Sequence, residues 1–215
     1  MPRPFDLSLY LVLDPVQCGG HDAALAVARA ALEGGATLVQ LRAPEWHKRA
    51  WLALALDLVP LTRAHGVPLV INDHVDVALA AGADGVHVGQ RDLPADVARR
   101  LLGRDALIGL SVSNLAEVAD ANRLQGVIDY IGAGPVYATP TKTDASAPTG
   151  IDGLADLCAH ARFPTVAIGG IHAHNAADVM RAKPAGVAVV SAICKAANPR
   201  EAAAALRRTV ARAQP

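Results

Sequence analysis

Cysteine is sparse here and carries no recognisable pattern. Cys18, Cys158 and Cys194 are an odd number with no Cys-x-x-Cys spacing, which argues against both a disulfide framework and a zinc ribbon. A reducing cytoplasm is the expected setting. An excess of charge of either sign is also missing. Twenty Lys and Arg balance twenty Asp and Glu, so no electrostatic footprint for nucleic acid or a membrane surface is expected, and an anionic ligand would have to be met locally. No apolar run reaches the roughly 20 residues that cross a bilayer. The N-terminus, Met-Pro-Arg-Pro-Phe-Asp-Leu-Ser, lacks the charged head and long apolar core of a signal peptide; a soluble, unexported chain is expected. The eight histidines contain no His-Glu-x-x-His and suggest no zinc set, and no Gly-x-Ser-x-Gly elbow surrounds any serine.

What the chain does have is regular alternation. Its 215 residues, 52% of them hydrophobic, suit one domain, 1–215, with a sizeable core. Short apolar runs at 9–13, 38–41, 69–71, 85–88, 107–110, 128–131, 165–168 and 186–190 predict eight buried parallel strands. Between and after them, Ala/Leu/Arg-rich stretches at 22–33, 46–65, 75–81, 94–102, 115–124, 154–160, 173–181 and 200–211 have helical spacing. Gly34-Gly35, Gly66, Gly82, Gly126 and Gly186 sit near helix exits, and Asn114 and Asn198-Pro199 near entries. Strands two, four and eight are preceded by a weakly recurring Gly-rich pattern. The prediction is an α/β fold, a single-domain (β/α)8 TIM barrel, with an open doubly wound sheet as the main rival. Its active site would lie at the C-terminal ends of the strands. The longest connection after a strand, 132–151, is rich in Pro, Gly, Thr and Ser and reads as a flap over that face.

Residues 71–94 concentrate the chemistry. Asp73 and Asp92 each follow an apolar run, so both carboxylates leave adjacent parallel strands at the same end. They could share one Mg²⁺, which takes one or two carboxylates plus waters and substrate phosphates. On spacing alone, capping of the helices near Val75 and Pro94 is the stronger reading. Loops at 167–171 and 189–193, built of small residues after strands seven and eight, suit a phosphate and shift the balance. Gly169-Gly170 would also serve a simple tight turn. Arg42 after strand two and Lys142 in the long loop, beside Thr139 and Thr141, could grip a diphosphate. Lysine is scarce in this arginine-rich chain, which sets Lys142 apart from ordinary surface charge. Ser111 suits hydrogen bonding better than nucleophilic attack. His87 reads as a satisfied barrel-interior residue; His74, His172 and His174 lie near the active face without a role, and Cys18 and Cys194 read as small apolar filling.

In order, the chain carries Gln-Leu-Arg, Ile-Asn-Asp-His-Val-Asp, Ala-Asp-Gly-Val-His-Val-Gly-Gln-Arg-Asp, Gly-Leu-Ser, Gly-Pro-Val-Tyr-Ala-Thr-Pro-Thr-Lys, Ala-Ile-Gly-Gly-Ile and Val-Val-Ser-Ala-Ile. Over residues 9–194 it resembles the thiamine phosphate synthase family. The resemblance implies a transferase that joins 4-amino-5-hydroxymethyl-2-methylpyrimidine diphosphate to a thiazole phosphate, releasing diphosphate. It implies Mg²⁺ on Asp73 and Asp92, and contacts to the pyrimidine diphosphate from Gln40, Arg42, Asn72, Ser111 and Lys142. Arg42, Ser111 and Lys142 would be catalytic. Thr139, Thr141, Gly170, Val190 and Ser191 would hold the thiazole phosphate, with Pro140 in the same substrate-binding segment. The implied partners are these two small molecules, and a homo-oligomer stays open. Two departures stand out. Pro44 occupies the place of a family lysine in Gln-x-Arg-x-Lys, with Lys48 or Arg49 as candidate replacements, and Ser113 stands where the family often has histidine. A relative of the thiazole tautomerase branch and a phosphate-binding barrel without turnover are the alternatives.

Overall fold

Alternating apolar runs and amphipathic stretches close on themselves. The structure is a computed structural model that describes residues 5–139 and 147–213; Pro140, Thr141 and Lys142 lie outside the described residues. The order is β1 (Leu9–Leu13), α1 (Pro15–Cys18), α2 (His21–Glu33), β2 (Leu38–Leu41), α3 (Lys48–Ala64), β3 (Leu69–Asn72), α4 (Val75–Ala81), β4 (Gly85–Val88), α5 (Ala95–Leu102) and β5 (Leu107–Val112). It continues with α6 (Leu115–Ala121), β6 (Tyr130–Ala133), α7 (Gly150–His160), β7 (Thr165–Ile168), α8 (Ala176–Met180), β8 (Gly186–Val189), α9 (Ser191–Cys194) and α10 (Pro199–Ala213). Each strand pairs in parallel with the next and β8 returns to β1, closing an eight-stranded barrel. The open-sheet alternative is thereby excluded.

The strands are nearly all apolar because both their faces are buried. Successive side chains alternate: Tyr10, Val12, Leu38, Val70, Tyr130, Val166 and Ala188 fill the barrel interior, while Leu9, Leu11, Leu13, Val39, Leu41, Leu69 and Ile71 pack outward with the helices. The N-terminal face is clamped by Arg99 of α5, 2.7 Å from Asp129. The guanidinium also donates to the carbonyls of Val127 and Ala106, and Asp129 accepts from the Ile108 N–H.

The departures from expectation are local. β6 begins at Tyr130, not Ile128, because Ile128 bridges Gln125 in the preceding turn and Asp129 is occupied by the clamp. β5 extends to Val112, and α7 begins at Gly150. Two short helices were not expected. α1 has local signals for its ends: Asp14 accepts from the Val16 and Gln17 N–H groups, Pro15 opens the helix, and Gly19 closes it in the left-handed region, φ 101°. The other, α9, follows β8 directly. No helix among the described residues is long and apolar enough to cross a membrane.

Candidate active site

Asn72 ends β3 opposite His87 of β4, and the ladder runs one residue further, with the Asp73 N–H donating to the His87 carbonyl at 2.9 Å. Asp73 then adopts φ 59°, a left-handed backbone that few residues other than glycine tolerate and that tends to occur at functional sites. Its carboxylate accepts from Asn72 Nδ2 at 2.6 Å. In the loop after the neighbouring strand β4, Asp92 folds back to accept the Gly89 N–H at 2.8 Å. The two carboxyl groups meet at hydrogen-bonding range: burial first, then the hydrogen bond and negative charge of Asp92, push the Asp73 carboxyl up to about 7, against the opposing pull of the Arg42 cation and Asn72. Neither carboxylate caps a helix. The cap positions of α4 and α5 are His74 and Pro94, neither with a side-chain cap bond. His74 instead packs edge-on against buried Trp51, centroids 4.8 Å apart; burial and then the Lys48 cation hold its imidazole below the usual range.

Beneath this pair lies a buried polar chain. Gln40 Nε2 donates to Tyr10 Oη at 2.5 Å, Tyr10 Oη meets Tyr130 Oη at 2.8 Å, Tyr130 Oη meets His87 Nδ1 at 3.0 Å, and His87 Nε2 meets Ser111 Oγ at 2.9 Å. Gln90 Nε2 donates to the Ser111 carbonyl at 2.7 Å, tying the β4 loop to the end of β5.

The second strand end carries Arg42, half-buried, followed by a turn in which the Trp46 N–H donates to the Ala43 carbonyl at 2.9 Å. Pro44 sits second in that turn, where its fixed φ is favourable. On the far side, Gly169 and Gly170 have φ 105° and 66°. A Cβ on Gly170 would lie 2.7 Å from Tyr137 Cβ and 3.0 Å from the Ala138 carbonyl oxygen, so the loop after β6 packs directly on this glycine pair. Asn175 holds the turn, donating to the Gly170 carbonyl at 2.9 Å and accepting from the His172 N–H at 2.8 Å. Val190 leads into the four-residue α9, which starts at Ser191. Thr139 is the last described residue of the long loop before position 147.

Beyond the geometry, the sequence profile of the family described as thiamine monophosphate synthase matches residues 9–193. The chain belongs to this family. It is 55% identical over 199 residues to the thiamine-phosphate synthase of Laribacter hongkongensis, covering 93% of each chain. It is 50% identical over 207 residues to that of Azorhizobium caulinodans, covering 96% of each. A solved thiamine phosphate pyrophosphorylase from Pyrococcus furiosus superimposes with a TM-score of 0.86 at 35% identity, covering 97% of this chain and 98% of that one. A 3-hexulose-6-phosphate synthase from Salmonella typhimurium, TM-score 0.72 at 17% identity, shares the fold alone.

As a member of the thiamine monophosphate synthase family, the chain places Gln40, Arg42, Asn72, Asp73, Asp92, Ser111, Thr139, Gly170, Val190 and Ser191 at or just beyond the C-terminal strand ends. Its two departures now have structural settings. Lys48 is bound to Asp76 of α4 at 2.6 Å with both side chains more than half exposed, so the structure pairs this candidate replacement with a helix carboxylate. Arg49 is exposed beside it on α3. Ser113 is tied into the start of α6: its N–H and hydroxyl both donate to Glu117, at 2.7 and 3.0 Å, while Asn114 caps the Glu117 N–H. Sequence reasoning missed Tyr10 and Tyr130. Their only signal was a polar-tipped aromatic inside an otherwise aliphatic strand, and a buried phenol usually finds a partner.

Proposed function

We propose that the chain joins 4-amino-5-hydroxymethyl-2-methylpyrimidine diphosphate to a thiazole phosphate, giving thiamine phosphate and diphosphate. The observation that carries this reading is the contact between Asp73 and Asp92 beside Arg42. Two carboxyl groups held together with Asp73 near 7 are poised to exchange a proton for a divalent cation. The residues fit Mg²⁺: two carboxylates in contact suit a cation that keeps waters and substrate phosphate oxygens in its other coordination places. When bound, Mg²⁺ would offset charge on the departing diphosphate.

The chain's own groups do the rest. Arg42, joined by Lys142 from the long loop, supports charge growing on diphosphate. Gln40, Asn72 and Ser111 orient the pyrimidine, whose electron-rich ring lets the diphosphate leave before the thiazole nitrogen attacks. Such a reaction depends on positioning more than on a strong nucleophile. Thr139, Thr141, Gly170, Val190 and Ser191, with Pro140 between the threonines, set the thiazole phosphate at the β7 and β8 ends. The three free cysteines suit a reducing cytoplasm. Ser113, engaged by Glu117, leaves no proton-transfer group at that position and favours this reaction over tautomerisation.

Purified protein supplied with both substrates and Mg²⁺ should form thiamine phosphate and diphosphate in equal amounts. Lys142→Ala should reduce kcat by about 100-fold or more with an unchanged melting temperature. Absence of thiamine phosphate under these conditions overturns the reading, and a near-wild-type Lys142→Ala removes that residue from the mechanism.

A further inference from the structure

The chain from Gln40 to Ser111 is continuous, and Gln40 Nε2 fixes the sense of its first link. Each link holds one proton, and each phenol has one to give. Burial raises the Tyr10 and Tyr130 hydroxyls well above their ordinary range, so both remain protonated. Tyr10 Oη accepts from Gln40 Nε2; in the sense that continues this donation, Tyr10 gives its own proton to Tyr130 Oη, which passes its proton to His87 Nδ1. With Nδ1 accepting, the His87 ring proton sits on Nε2 and is donated to Ser111 Oγ. In that sense the Ser111 hydroxyl proton is available to an acceptor in the site. The opposite sense of the links beyond Tyr10 also pairs every proton, because a phenol oxygen has two lone pairs and Tyr10 Oη can accept from both Gln40 and Tyr130; it would place the His87 ring proton on Nδ1 and make Ser111 a donor to His87, so the His87 tautomer distinguishes the two senses.

The barrel is built around this chain. Tyr10, Gln40, His87 and Tyr130 are all buried, with relative exposures of 1, 4, 7 and 0%. Gly109 of β5 stands where any Cβ would collide with the Tyr130 hydroxyl end and His87 Nδ1, and a Cβ at Gly132 of β6 would lie 3.1 Å from His87 Cε1. Two strand glycines therefore keep space open for the phenol and the imidazole. An aliphatic layer would fill the interior without burying four polar side chains.

We propose that Tyr10, Tyr130 and His87 are positioning residues that hold Ser111 as a hydrogen-bond donor toward an acceptor atom of the pyrimidine substrate, a ring nitrogen or a phosphate oxygen, and couple it to Gln40 across the barrel. This rests on the reading that Gln40 and Ser111 contact that substrate. A substrate bound at one end thus meets a polarity set at the other.

Tyr130→Phe and Tyr10→Phe keep the rings and break the chain. Each should lower kcat/KM for the pyrimidine diphosphate by about tenfold, leaving KM for the thiazole phosphate within twofold. The double variant should be no worse than about twofold below the poorer single one, since one break suffices. Nitrogen NMR of wild-type His87 should show Nε2 protonated and Nδ1 bare, with mixed tautomers in Tyr130→Phe. A wild-type His87 protonated on Nδ1 overturns the proposal. So do Phe variants with wild-type kcat/KM while Ser111→Ala is impaired. If Ser111→Ala itself keeps wild-type kinetics, the reading of the site falls and the proposal falls with it.

Discussion

Replacing Asp92 with asparagine should stabilise the protein while disabling it. In the free site Asp73 titrates near 7 instead of 3.8. That difference corresponds to about 4 kcal/mol disfavouring its charged form. Burial is the largest cause and persists in the variant; the hydrogen bond and charge of Asp92 are removed. Asp73 is only part-buried and Asp92 exposed, so screening reduces the Asp92 share to about 1–2 kcal/mol. Between roughly pH 4 and 7 the unfolded chain has already released the Asp73 proton while the folded one retains it. The folded state then binds more protons, and wild-type stability falls as pH rises through this window and levels off above it. Asp92→Asn, whose amide oxygen can still accept the Gly89 N–H, should match wild type below pH 4. With EDTA present above pH 7, it should melt about 2–8 °C higher. Mg²⁺ should raise the wild-type melting temperature and leave the variant's unchanged, because ligand stabilisation requires binding to the folded state. Thermal unfolding from pH 4 to 8.5, with EDTA or Mg²⁺, reads all of this. A variant that melts lower than wild type at pH 8 in EDTA, or responds equally to Mg²⁺, refutes the reasoning.

Arg99→Ala should cost about 3–5 kcal/mol in urea unfolding, because it leaves Asp129, its side chain only 10% exposed, without its cation; kcat of the surviving folded protein should be unaffected, since the clamp lies at the opposite barrel face. Lys48→Ala should change stability by less than about 0.5 kcal/mol and kcat/KM by less than twofold, while the His74 imidazole titrates higher by NMR; a tenfold loss of kcat/KM would show that Lys48 leaves Asp76 to serve the diphosphate. Gly109→Ala should cost about 1–3 kcal/mol by overpacking and lower kcat/KM with it, as its Cβ meets Tyr130 and His87; an unchanged melting temperature would show that the interior has room there.

The barrel was legible because parallel strands covered on both sides leave an unusually plain trace: short runs such as Leu69-Val-Ile71 and Gly85-Val-His-Val88 with helical stretches between them. The errors fell where local pattern and long-range contact compete. Ile128-Asp-Tyr-Ile131 reads as a strand, yet its first two residues serve a turn and a clamp reaching α5, 30 residues away. Helices α1 and α9 have only four residues each, too few to show a period, although Asp14-Pro15 and Gly19 were available as boundary signals.

The site shows the same division between what a chain position implies and what only folding assembles. That Asp73 and Asp92 leave neighbouring strands follows from spacing. That their carboxyl groups touch depends on a left-handed Asp73 backbone and on Asp92 bending back to Gly89, and neither is written in a periodicity. Pro44 is the reverse case. As a missing cation it looks like a defect, but its neighbours make it the second residue of a turn closed by Trp46, a place where proline is conformationally favourable. The polar chain is the least legible feature of all, because its longest link joins Tyr10 to Tyr130 across 120 residues. Each phenol alone is an ordinary core aromatic. Only closure of β8 onto β1, bringing all eight strands around one interior, turns two tyrosines, a glutamine, a histidine and a serine into a single connected set of hydrogen bonds.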